Sequence, residues 1–136
     1  VWVDGVNIAQ LLRVMNQRIE VLLDRDHCLG HAYFMPLSDD NSLACLEAIF
    51  RNQILPLLQE YFFEDWQKIR LVLADNQKSE AARFVIESQD HEEDLARLFG
   101  GNHGLNTYET KKRYMVQDAS FSNPDAYIGI YQTLPA

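Results

Sequence analysis

The chain has 136 residues, 47% of them hydrophobic and 24% charged, which suits one domain with a modest core and not a disordered segment. A formal charge of −8 at pH 7 argues against gripping nucleic acid or an anionic membrane unaided, because phosphate binding asks for a basic surface. Two cysteines, Cys28 and Cys45, make no disulfide framework. No apolar run approaches the roughly 20 residues that span a bilayer. Nothing at the start reads as a signal peptide, so the expected setting is reducing and cytoplasmic.

The opening "VWVDGVN" lacks Met and is already apolar, and reads as a cut made inside a longer protein. The first helix is then the clearest element. Ile8, Leu11, Leu12, Met15, Ile19, Leu22 and Leu23 recur at offsets of three or four, a one-sided apolar stripe. Asp4 is its expected N-cap, with Gly5 just inside. Residues 28–40 break the period. A second helix is predicted from about Ser42, capped by Asp40 or Asn41, with Leu43, Leu46, Ile49, Phe50 and Ile54 on its apolar face. Pro56 falls inside that pattern and predicts a kink or a fresh helix that uses it in the first turn.

A third helical segment, roughly 65–74, carries Trp66, Ile69, Val72 and Leu73. "DNQKSEAA" reads as an exposed loop. "RFVIE" (83–87) and "KRYMVQ" (112–117) are strand candidates, expected to pair across the helix "DHEEDLARLFGG". That helix shows a capping-box pattern at Asp90 and Glu93 and a stop at Gly100–Gly101. "NHG" near residue 103 reads as a turn. The last helix has Ser122 or Asn123 as cap, Pro124 in its first turn, and Tyr127, Ile128 and Tyr131 on its apolar face. The expected fold class is mainly α, with a small two-stranded β element in the C-terminal half.

An autonomous NTPase needs a phosphate cradle, and no glycine opens a G-x-x-x-x-G-K-S/T run, so no catalytic residue is expected in this chain. The densest chemistry is "LLDRDHCLGHAYFMPL", with Asp24, Asp26, His27, Cys28 and His31. As metal ligands their spacings fit no standard pattern, and Gly30 interrupts the helix that would put His27 and His31 on one face. The structural reading has Asp26 or His27 closing the first helix, Gly30 at a positive φ, and Tyr33 and Phe34 docking into the core. On the residues alone that connector reading leads. "PLLQEYFFEDW" reads as core at helical spacing, with Glu60 and Asp65 as its candidates for a polar role.

Two blocks add to this. "LLRVMNQRIEVLLDRDHCLGHAYFM" and "IFRNQILPLLQEYFFEDWQKIRLVLADN" resemble the C-terminal part of McrB-type AAA+ motors. The resemblance rests on Asn16, Arg18, Ile19, Arg25, Asp26, His27, Gly30, His31, Tyr33 and Phe34 in the first block. In the second it rests on Ile54, Pro56 to Phe62, Asp65 and Trp66. The closing "NPDAYIGIY" is similar to the segment that ends many such proteins, and Ala32 stands where the family commonly has Ser.

The resemblance implies a helical AAA+ lid-like bundle over residues 1–76. Residues 77–136 would be a C-terminal extension packed on it as one unit. The P-loop, Walker B acid and arginine fingers would lie in a core upstream in the same chain. The family would then supply GTP and Mg to the intact motor and none to this fragment alone. It would form a ring, expected to be hexameric, and drive a McrC-type endonuclease on DNA containing modified cytosine such as 5-methylcytosine, read through another domain. Arg25, Asp26, His27, Gly30, His31 and Tyr33 become candidates for a nucleotide or protomer interface, with Arg25 and His31 donating and Asp26 orienting one of them. The alternative is a stand-alone helical protein-interaction module that binds no nucleotide.

Overall fold

The chain opens on a hairpin before its first helix begins. The computed structural model describes residues 1–88, 91–105 and 113–132. Strands β1 (Trp2–Val3) and β2 (Val6–Asn7) pair antiparallel around Asp4 and Gly5, whose φ values are 46° and 83°. Positive φ at both central residues is what a two-residue hairpin turn of the primed type requires. Asp4 is therefore a turn residue, contrary to the expected helix cap. The cap is Asn7, whose side-chain oxygen accepts from the Gln10 N–H at 3.2 Å. From it runs α1 (Ile8–Leu22), burying Ile8, Leu11, Leu12, Met15 and Ile19 along the stripe.

The next long helix is wound in three pieces. Ser42 caps α2 (Leu43–Ile49) by accepting from the Cys45 N–H at 3.1 Å; the expected capping residue Asp40 instead accepts from the Ser42 N–H. Residues Phe50–Ile54 form a π-helical turn that passes into α3 (Leu55–Tyr61). Backbone angles stay right-handed throughout, and the Leu55 N–H reaches back five residues to the Phe50 carbonyl. The wider turn lets Pro56, which has no N–H to give, sit in the first turn of α3 without breaking the rod. Asp65 then caps α4 (Trp66–Val72).

The stretch after α4 departs from the predicted exposed loop. Asp75 is fully buried and Lys78 nearly so, with the ammonium 3.0 Å from the carboxylate. Asp75 also accepts from the Phe84 and Val85 N–H groups at 3.1 and 2.9 Å, so one side chain turns the chain from α4 into the next strand. The Lys78 ammonium lies 4.4 Å from the Phe84 ring centroid. Burial drives it down to about 8 against the opposing pull of Asp75.

Strands β3 (Val85–Glu87) and β4 (Tyr114–Val116) pair antiparallel, Val85 opposite Val116, as the sequence predicted. Between them lies α5 (His91–Phe99), ended by Gly100 at φ 82°. The capping box expected of Asp90 and Glu93 falls outside the described residues and side chains. Helix α6 (Pro124–Tyr131), capped by Asn123, packs along α1, and the Tyr131 hydroxyl accepts from the Asn7 N–H at 2.8 Å. The core runs unbroken from Val3 to Ile130, with Phe50, Phe84, Phe121 and Tyr127 in ring contact at its centre. A mainly α chain with small two-stranded elements results, one of them the N-terminal hairpin that the pattern reading missed.

Candidate functional site

Helix α1 ends at Leu22, so His27 and His31 never share a helical face. The chain leaves α1 through Asp24 in a fully extended conformation and enters a short 3-10 turn, Arg25–His27. Asp24 starts that turn. One carboxylate oxygen accepts from the His27 N–H at 2.9 Å and lies 2.6 Å from the His27 Nδ1. Those bonds from His27 hold the Asp24 carboxyl below the usual carboxylate range. The imidazole meets the Tyr61 ring edge-on at 4.9 Å, fixing the turn against the end of α3.

The other side of the loop is fastened from within α1. The Asn16 side chain accepts from the Leu29 N–H at 2.6 Å and donates to the Leu29 carbonyl at 2.9 Å, so one amide satisfies both backbone polar groups of that residue. The Cys28 thiol donates to the Asn16 carbonyl at 3.5 Å. Burial, then the charges of Glu20 and Asp24, push that thiol up, away from nucleophilic chemistry. Arg18, two residues after Asn16, donates to the Val72 carbonyl at 3.0 Å and ties α1 to the end of α4.

Gly30 has φ −85°, contrary to the expected positive value, and begins a 3-10 helix from His31 to Ser38. Phe34 and Leu37 point into the core, and Tyr33 is partly buried against it. His31 is exposed and borders a cleft of about 240 Å3 between the start of α1 and the Phe34–Met35 edge. Arg25 and Asp26 are exposed as well, and Arg25 reaches Glu20 at 3.4 Å.

Of the predicted residues, then, His27 and Tyr33 are pinned to the fold. Arg25, Asp26 and His31 project outward, and Gly30 is the joint between the two 3-10 segments. The carboxylate that orients a histidine is Asp24. Asn16 and Asp24 were named from sequence only as a motif position and a possible metal ligand; their bracing role was missed, and both had a signal. Asparagine is a poor helix-interior residue, so Asn16 inside a clean stripe asked for a reason. Aspartate three residues before His27 is cap spacing. Glu60 is exposed, and Asp65 is used as the α4 cap. Among the described residues no three His, Cys, Asp or Glu side chains gather as a metal set, and Cys28 and Cys45 are free thiols.

The polar loop after α1 is thus braced from inside the helical bundle, with Arg25, Asp26 and His31 exposed. Residues 7–70 match the family model of McrB, alpha-helical lid domain, from the α1 cap through most of α4. This part of the chain is a McrB-type lid domain. No curated protein matches the chain. No described helix is long and apolar enough to cross a membrane.

Proposed function

We propose that the chain serves as the lid and C-terminal part of a McrB-like AAA+ motor, closing the nucleotide site and contributing to ring assembly. The observation that carries this reading is the loop from Asp24 to His31. Its backbone is locked by Asn16 and Asp24, while Arg25, Asp26 and His31 are exposed. A rigid backbone with outward donors is the arrangement that recognition requires, because little ordering is left to do on closure.

In this reading a core in the same chain holds the phosphates of GTP and its Mg ion, which supplies charge neutralisation at the transferring group. Arg25 and His31 donate to the nucleotide or to the neighbouring protomer. Asp26 accepts from a donor on the same surface, His27 and Gly30 set the path of the loop, and Tyr33 anchors its far end. The assembled ring, expected to be a hexamer, would drive a McrC-type endonuclease on DNA with modified cytosine, in the cytoplasm, with DNA held by another domain. The acidic character of this chain agrees with that division of labour.

Replacing His31 or Asp26 with Ala in the intact motor tests the reading. Lower GTP turnover or weaker ring formation is the expected result. Unchanged turnover and unchanged assembly in both variants would remove the role.

A further inference from the structure

The turn that ends α3 is a helix stop of the Schellman type. The Glu64 N–H bonds to the Gln59 carbonyl at 2.9 Å and the Phe63 N–H to the Glu60 carbonyl at 3.3 Å. In this motif the residue after the cap is left-handed and is usually glycine, because a Cβ is strained there. Here that residue is Phe63, at φ 50°, followed by Glu64 at φ 59°. The end of α4 repeats the backbone pattern with a different solution. Ala74, at φ 60°, occupies the equivalent position and is fully buried, so packing holds it there. Phe63 is 91% exposed and has no such compensation. Backbone strain and water contact both favour glycine at this position, yet the chain spends a phenylalanine on it.

We propose that Phe63 is a docking residue for another protein, one presenting an apolar pocket bordered by lysine or arginine. The rim chemistry follows from the flanking side chains. Glu60, Glu64 and Asp65, close to Phe63 in sequence, are all exposed. An aromatic group set among carboxylates complements a greasy pocket with a basic edge. A second copy of this chain is the weaker occupant here, because symmetric pairing through this surface would set Glu60, Glu64 and Asp65 against their own like charges. This surface lies at the end of α3, just past Tyr61.

Two measurements test it. In the first, a photo-reactive benzoylphenylalanine replaces Phe63 in the full-length protein in cells, and cross-linked peptides are sequenced after irradiation. The expected product joins position 63 to a different polypeptide, at an apolar segment with Lys or Arg beside it. Reversing the rim with Glu60→Lys and Glu64→Lys should cut the yield roughly tenfold. Cross-links only within the chain or to a second copy, attachment to a segment without basic residues, no cross-link at all, or a yield indifferent to the reversal would each overturn the proposal. In the second, Phe63→Gly should raise Tm by about 2–4 °C, since strain is relieved and no packing is lost. A fall in Tm would mean that the ring packs within the fold, and would overturn it equally.

Discussion

At the scale of single residues, the chain places its costly polar groups where they fix backbone. Asn16 is the clearest case, since both ends of its amide serve Leu29. Asn16→Ala leaves the N–H and C=O of buried Leu29 without that partner and should cost about 1–3 kcal/mol in denaturant unfolding. Asn16→Asp should also lose stability, because the carboxylate keeps the acceptor and loses the donor. Lys78→Met removes the counter-charge of a buried carboxylate and should cost roughly 3–5 kcal/mol.

Asp24 gives a pH signature with a definite sign. Its folded pKa is depressed, so the cap contributes its stability above the ordinary carboxylate value of about 4 and loses it as pH falls through the lower folded value. An NMR titration that follows the Asp24 side-chain carboxyl carbon should place its midpoint below the ordinary carboxylate value of about 4. A shift centred above pH 5 would contradict the cap. These roles were partly legible beforehand, since residue types flagged the 24–31 stretch. Which carboxylate does the orienting was not, because Asp24 and Asp26 differ only in where α1 stops.

At the scale of elements, periodicity carried the helices, and local chemistry decided their ends. The stripe of α1 is readable because one face is buried along its whole length. Its start is not, because Asp4–Gly5 carries two signals, a cap and a hairpin turn, and the two short strands beside it are too brief to show alternation. The Pro56 signal was readable as a break or a restart. Only the structure shows the π-turn that reconciles it with a continuous rod and delivers Phe50 to the ring cluster. "DNQKSEAA" misled because its polar composition hides a buried pair, which becomes sensible only beside the distant Phe84 and Gly129. The docking of α6 on the start of α1 is equally non-local. Tyr131→Phe removes the acceptor for the Asn7 N–H and should cost about 1 kcal/mol, read as a lower denaturant midpoint with an unchanged slope.

At the scale of the whole molecule, the matched lid region and the residues beyond it share one core. Val3 and Leu11 belong to the same cluster as Phe121 and Ile130. A lid ending near residue 76 would leave α1 uncovered along the line where α6 packs. We therefore expect the chain to unfold in a single transition by circular dichroism and fluorescence alike, and a version cut after Asn76 to lose its cooperative melt. Two separated transitions would mean that the C-terminal extension folds on its own.

The reading of the Asp24–His31 loop as the face a motor closes with is the central claim, and hydrogen–deuterium exchange on the assembled motor addresses it most directly. Compared with the unassembled protein, the ring bearing a non-hydrolysable GTP analogue should show slower exchange across residues 25–33. Exchange elsewhere in the chain should change less. Equal exchange of 25–33 in both states, with protection confined to other segments, would contradict the account and leave this loop as an internal connector.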